Sequence, residues 1–429
     1  MSSSRGGSAR RDHTVALLAI GDEVLRGEVQ NTNAAFLSTK LFEAGFALRE
    51  HVVVSDEPAE IRAALIRLRT EVDVIIATGG LGPTEDDRTV DVVSSLLGTA
   101  AEAHADSLEA MKKRFSTHGF EMTPNNLRQV RVPAGAQALP NAAGIAPGFR
   151  VKLGGAEAFF LPGVPREMER VFVDHVGPFL TARLVESGFP APAVRTWHIY
   201  GMGESHIDHR LAGLIAGMES VSLHFRTSPP ENHVKVVVRD ADPEKALAKL
   251  DGLDVELRRR IGPGIYAIDG ETFPAAVGRA LRAHAATLSL AESCTGGLAG
   301  QILTTEAGSS EFFKGSVVCY ANEIKTGVLG VKPETIADFG AVSEPCAREL
   351  AEGVKRVCGS TVAASITGIA GPGGATADKP VGTVCVAVCG PGPTRATTKL
   401  FSGGRERIRL AAAYLALDLA RRYFDGRKR

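Results

Sequence analysis

From His13 onward, short apolar runs alternate with longer segments in which apolar residues recur every third or fourth position. TVALLAI, HVVVS and VDVIIATGG have strand length, whereas NAAFLSTKLFEAG and PAEIRAALIRLRTE between them have helical periodicity. Short apolar strands separated by helices of about ten residues or more predict βαβ units and a parallel sheet. AFFLPGVPREMERVF closes this first block near residue 175 as a strand, a Pro-Gly turn and a helix.

The pattern then changes. RTWHIYGM, GESHIDHRLAGLIAG, SVSLHFRTS, HVKVVVRD and PEKALAKLDGLDVELRRRIG predict a small α+β unit bounded near Gly188 and Gly262. From Glu271 the α/β alternation resumes. FPAAVGRALRAHA, TLSLAES, CTGGLAGQILTTE, FFKGSVVCYA and EPCARELAEGVKRVCG lead to the strands STVAASITGIAGP, VGTVCVAVCG and TRATTKLF, then a final helix to Tyr423. The expected organisation is a tail at 1–12, an α/β domain at 13–175, an α+β connector at 176–264 and a second α/β domain at 265–429.

Composition narrows the function classes. With 429 residues, 44% hydrophobic, 6% aromatic and 47 glycines, the chain has ample material for several α/β cores. Lys+Arg and Asp+Glu both number 49, so no overall basic field draws in nucleic acid or an anionic membrane. All six cysteines fall between Cys294 and Cys389 without a CxxC pair or a nearby His cluster, which predicts reduced, buried thiols and neither disulfides nor zinc. MSSSRGGSARRDH has no apolar stretch behind its arginines and no run is long enough to span a bilayer, so a disordered tail and a cytoplasmic location are expected.

Two stretches carry chemistry. In ATGGLGPTEDDRT, glycines at a strand end let backbone N–H groups approach a phosphate, and the following helix N-terminus favours an anion. The loop, with Gly79, Gly80, Gly82 and Thr84, is neither a Walker A nor a dinucleotide fingerprint. Asp86 and Asp87 suit either helix capping or a hard divalent ion holding a phosphoanhydride. In LSLAESCTGGLAG, Ser293 falls between a predicted strand and helix, where it is either an N-cap or a nucleophile. Gly296 and Gly297 would leave helix N–H groups open to an oxyanion. The only histidine after His233 is His284, on the preceding helix, so the available base is Lys325 of CYANEIKTGVLG, otherwise a solvated helix residue. Cys294 has no histidine partner and reads as packing.

GDEVLRGEVQNTN, VSDEP, TGGLGPTEDD, NAAGIAPGF and LPGVPREM resemble the molybdopterin-binding, MoaB/MogA-like domain at the front of CinA (competence/damage-inducible) proteins. The middle segment resembles a KH-like fold but lacks its RNA-clamping GXXG loop, so no direct nucleic-acid contact is expected. AESCTGG, GSSEFFKGSVVCYANEIK, GAVSEP, ITGIAGPGG, KPVGTV and FSGGRERIR resemble the CinA C-terminal, nicotinamide-nucleotide amidase domain. The resemblance implies three-layer α/β folds at both ends. It implies deamidation of nicotinamide mononucleotide with Ser293 as nucleophile, Lys325 as base and Tyr320 in the proton network, without a metal. Gly296, Gly297, Thr367, Gly368, Gly371 and Arg409 would line that substrate. At the front it implies ADP-ribose pyrophosphatase activity dependent on a divalent metal ion (Mg, Mn or Co), with Asp56, Asp86 and Asp87 as metal positions. A homodimer is implied as well. Two other readings stay open: a non-catalytic protein of competence or DNA damage, and molybdopterin binding or adenylyl transfer at the N-terminal domain. The family commonly has Gly-Asp-Arg where this chain has Gly403-Gly404-Arg405.

Overall fold

The computed structural model describes residues 14–119, 121–186, 188 and 191–425; the tail expected to be disordered, 1–12, lies outside them. The chain divides into two compact units, Met1–Ala193 with Val238–Ala248, and Val194–Val237 with Lys249–Arg429.

In the first unit, β1 (Thr14–Ile20), α1 (Asp22–Leu25), α2 (Thr32–Ala44), β2 (Ala47–Val54), α3 (Pro58–Glu71), β3 (Val74–Thr78) and α4 (Thr89–Leu97) follow the expected alternation. β4 (Ala101–Ala103), α5 (Ala105–His118), β5 (Arg131–Pro133), β6 (Gln137–Leu139), β7 (Gly148–Leu153) and β8 (Ala156–Leu161) complete the strands. The sheet runs β2-β1-β3-β8-β7-β6, parallel through β8 and antiparallel beyond. Alternation along β1 divides the core. Val15 and Leu17 pack with Leu37 and Leu41 of α2, whereas Ala16 and Leu18 pack with Ile61 and Leu65 of α3. Helices on both faces give three layers. The segment expected to close near 175 runs on as α6 (Pro165–Val171), a π-helical turn and α7 (Gly177–Glu186). Phe172, Val176, Leu180 and Leu184 recur every fourth residue and stay buried in the same core.

The elements β9 (Ala193–Tyr200), α8 (Glu204–Leu211), β10 (Val221–Ser228), β11 (Glu231–Val238), α9 (Pro243–Ile261) and β12 (Ile265–Ile268) build the α+β part, which falls in the second unit except for Ala193 and Val238–Ala248. Its sheet order is β10-β11-β9-β12. β12 lies past the boundary expected at 264, yet pairs antiparallel with β9 because Ile265, Tyr266 and Ala267 are buried there.

The remaining elements are α10 (Phe273–Arg282), β13 (Leu288–Glu292), α11 (Leu298–Thr304), β14 (Phe313–Val318), α12 (Asn322–Gly327), α13 (Pro333–Phe339), α14 (Glu344–Cys358), β15 (Val362–Gly368), β16 (Thr383–Cys389), β17 (Arg395–Leu400) and α15 (Arg405–Arg421). The second sheet runs β14-β13-β15-β16-β17. α10, α11 and α15 cover one face and α14 the other, again three layers. Among the described residues no helix is long and apolar enough to cross a membrane.

Candidate functional site

In the second sheet, β13 pairs in parallel with β14 on one side and β15 on the other, so Glu292 faces Val318 and Ile366. Connections that leave a strand to opposite sides open a crevice at its C-terminal end. Ser293 is the first residue in that crevice. Its backbone N–H donates to the Ile366 carbonyl at 2.9 Å.

The helix expected to begin at the serine begins later. Residues 293–296 form a turn closed by the Gly296 N–H on the Ser293 carbonyl at 3.1 Å, and Gly297, at φ 98°, precedes α11 in a conformation that side chains rarely adopt. Ser293 therefore does not cap α11. The expectation that Gly296 and Gly297 free the helix N–H groups for an oxyanion is overturned by Glu292, which is completely buried. Its carboxylate accepts from the Gly297, Ala299 and Gly300 N–H groups at 3.0, 3.0 and 2.9 Å, and from the Ser316 hydroxyl at 2.9 Å. An anion at a helix N-terminus is favoured electrostatically, and here the chain supplies its own. Within Ser293–Gly300, the N–H groups that donate to no acceptor are those of Cys294 and Thr295, directly after the serine.

Lys325 is only 2% exposed, which rules out the solvated-helix reading. Its Nζ donates to the Cys319 and Tyr320 carbonyls, both at 2.8 Å, and among the described residues no carboxylate pairs with it. Ser293 directly follows β13, whereas Lys325 sits on α12 beyond the adjacent β14, and no hydrogen bond joins their side chains. Tyr320 contributes its carbonyl to the lysine; its ring is 60% exposed and its hydroxyl accepts from Arg405 Nη2 at 3.4 Å.

The other expected residues surround this crevice. Thr367 lies level with Ser293 at the end of β15, but its hydroxyl donates to the Ala341 carbonyl at 2.8 Å and is not open to a ligand. Gly368 backs onto Val384, and the Gly371 carbonyl accepts from Arg405 Nη1 at 2.6 Å. Arg409 Nη2 donates to the Thr295 carbonyl at 2.8 Å, bracing the serine turn. Arg405, which ties the Gly371 loop to Tyr320, was not singled out in the sequence. Burial pushes the Cys294 thiol up to about 12, leaving it protonated and unreactive at neutral pH.

The first unit has its own crevice, where the chain leaves β1 toward β2 on one side and β3 on the other. Gly79 is obligatory here: a Cβ would sit 2.1 Å from the Ile20 carbonyl oxygen. The Thr89 hydroxyl donates to the Gly79 carbonyl at 3.1 Å and the Thr89 N–H to the Gly80 carbonyl at 3.3 Å, pinning the loop to α4. The acidic pair does not cap that helix, whose N-cap position is Arg88. Asp87 instead clasps its own loop, Oδ2 accepting from the Thr84 N–H at 2.9 Å and hydroxyl at 2.6 Å beside Gly82. Asp56 receives the Asp22 N–H at 3.0 Å, and burial, then the charges of Glu23, Asp22 and Asp86, push its carboxyl above the usual range. Thr84 foremost, then Arg88 and Arg128, hold Asp86 below it. Asp56, Asp86 and Asp87 are not drawn within 4.8 Å of one another as a single ligand cluster. A crowd of carboxylates around Asp56 fits a divalent cation, whereas Asp87 Oδ2 is already engaged. A cavity of about 580 Å³ beside this loop is lined by Pro58, Arg62, Glu85, Arg88, Ser95 and Arg128. Its three arginines come from three separate segments and were missed in the sequence.

Residues 16–182 match the probable molybdopterin binding domain, residues 194–267 the damage-inducible protein CinA KH domain and residues 270–424 the CinA C-terminal domain. A CinA-like protein of Anaeromyxobacter sp. is 42% identical over 95% of this chain and 98% of its own. The chain belongs to the CinA family. A putative competence-damage inducible protein of Symbiobacterium thermophilum is 41% identical over 96% of this chain and 98% of its own. The crystal structure of a CinA superfamily protein from Klebsiella pneumoniae is 35% identical, covering 35% of this chain and 93% of that one, with a TM-score of 0.34.

Against the Gly-Asp-Arg common in the CinA family, Gly404 leaves α15 with no side-chain cap. A Cβ at Gly404 would meet nothing within 4 Å, and its φ of −73° with ψ of 169° suits an N-cap residue. Gly404→Asp should therefore stabilise the protein by a few tenths to about 1 kcal/mol, read as a raised Tm in thermal unfolding. An unchanged or lowered Tm would show that a cap is not what this position lacks.

Proposed function

We propose that the C-terminal α/β domain hydrolyses the carboxamide of nicotinamide mononucleotide, giving nicotinate mononucleotide and ammonia. The observation that carries this reading is the buried Lys325 on α12, its Nζ donating to the Cys319 and Tyr320 carbonyls where the chain leaves β14, the strand paired with the one that ends before Ser293. Ser293 Oγ attacks the carboxamide carbon and its proton passes to the Lys325 amine. Charge on the carboxamide oxygen meets the N–H groups of Cys294 and Thr295. The carbon–nitrogen bond breaks as Lys325 returns the proton to nitrogen, and ammonia leaves an acyl-serine. Water adds to the acyl carbon, delivering a proton through Lys325 to Ser293 Oγ as the carboxylate departs. The substrate phosphate fits Arg405, Arg409 and the uncapped start of α15.

For the N-terminal domain the reading is a metal-dependent ADP-ribose pyrophosphatase. Asp56 and Asp86 would hold a hard dication, which when bound neutralises phosphoanhydride charge. Arg62, Arg88 and Arg128 would hold the phosphates, and the loop at Gly79 and Gly80 would let backbone approach them. The match to a probable molybdopterin binding domain favours a pterin as the second reading. Incubating the full-length protein with nicotinamide mononucleotide and with ADP-ribose, with and without Mg²⁺, Mn²⁺ or Co²⁺, tests both domains. Ammonia independent of metal, and AMP with ribose 5-phosphate only in its presence, are the expected products. Binding of a pterin without ADP-ribose turnover would decide for the second reading.

A further inference from the structure

On the α+β sheet of the second unit, β9 and β11 are neighbours and bring three side chains to one place. His198 comes from β9; Glu231 and His233, two residues apart on β11, share a face. One ligand atom from each of the three lies within 4.8 Å of the others, and no other group of three His, Cys, Asp or Glu among the described residues meets that spacing. We propose that His198, Glu231 and His233 bind one zinc-class divalent transition-metal ion, with a fourth position open to water.

Two features support a metal over a plain polar network. First, spacing: ligands of a tetrahedral zinc at about 2.0–2.1 Å lie roughly 3.3 Å apart, and His233 Nε2 to Glu231 Oε2 is 3.2 Å. Second, outer partners: His198 Nε2 stands 2.5 Å from the Asp269 carbonyl, where it can only donate, so the neutral ring presents Nδ1 as a lone pair. A backbone carbonyl on the far nitrogen is the usual way a metal-binding histidine is oriented. Glu231 is likewise fixed, accepting from the Tyr266 hydroxyl on Oε2 at 2.5 Å and the Tyr414 hydroxyl on Oε1 at 2.6 Å. Two imidazoles and one carboxylate suit zinc or cobalt better than magnesium.

The cluster also joins elements. Tyr414 belongs to α15 and stacks on Phe273 of α10, ring centroids 4.4 Å apart, while Tyr266 is on β12 and meets the same phenylalanine edge-on at 5.0 Å. An ion on Glu231 would thus secure the α+β sheet to two helices of the C-terminal domain.

The test uses the full-length protein, freed of metal by chelation and titrated with Co²⁺ in excess Mg²⁺, so that hard-dication sites stay filled. Visible ligand-field absorption should saturate with one equivalent of Co²⁺ and be displaced by Zn²⁺. The change should persist in Asp56→Asn, vanish in His198→Ala and His233→Ala, and require about 10–100-fold more Co²⁺ in Tyr266→Phe, which removes only an outer partner. Absence of a Co²⁺ band in the unmodified protein overturns the proposal without any variant having to fold. A band that is the same in the unmodified protein and in folded His198→Ala overturns it equally.

Discussion

Ser293→Ala should lower ammonia release from nicotinamide mononucleotide by several orders of magnitude while leaving the fold intact. The serine hydroxyl enters no hydrogen bond among the described residues, and the turn around it is held by backbone bonds and by Arg409 on the Thr295 carbonyl. Removing one oxygen thus orphans no partner. Lys325→Met should lose nearly as much activity, because nucleophile and base act as one unit whose losses do not add. It has a structural cost as well, since the buried Cys319 carbonyl loses its donor, at roughly 1–3 kcal/mol, and the part-buried Tyr320 carbonyl loses one too. Ammonia production and Tm measured on Ser293→Ala, Lys325→Met and the double variant separate the two effects. Parental turnover in Ser293→Ala would remove the serine from the mechanism.

The second large effect belongs to the other unit. Asp56→Asn should abolish conversion of ADP-ribose to AMP and ribose 5-phosphate, as should exhaustive chelation, while the amidase continues unchanged. Asn keeps the shape and removes the charge from the most crowded carboxyl of the group, so the fold should tolerate it. Asp87→Asn should act differently. Its carboxylate closes the loop on Thr84, so the weaker amide should raise KM through a looser loop more than it lowers kcat. ADP-ribose turnover that survives chelation would refute the metal requirement.

The apolar strands at Val15–Ile20 and Val74–Thr78 were plain in the sequence because strands covered on both faces carry nearly continuous hydrophobic runs. The parallel strands with intervening helices followed from the strand–helix alternation, and the three layers at either end from the family resemblance. Ser293 and Lys325 stood out as chemistry beside strand ends. Glu292 did not, since the role of a glutamate that ends a strand depends on a turn of four residues and on a parallel neighbour presenting Ser316 at the right level. The start of α11 was misplaced for the same reason: Cys-Thr-Gly-Gly reads as helix or turn until an anion is found to occupy the first N–H groups. Arg405 was invisible because its partners, Gly371 and Tyr320, lie 34 and 85 residues away. His198 and His233 likewise meet only across strands.

The cysteines of the C-terminal domain carry one more implication. All six are free; five are buried and Cys358 is partly accessible. Burial lifts Cys319, Cys346 and Cys389 to about 11, so at neutral pH almost no thiolate exists to meet an alkylating reagent. Cys319 and Cys346 sit together under Lys325, and Cys385 and Cys389 belong to the same packed layer. Labelling of these four therefore clocks how often that layer opens, with Cys358 on the helix surface giving the rate for a thiol that needs no opening. The protein carries a built-in gauge of its breathing beneath the buried Lys325.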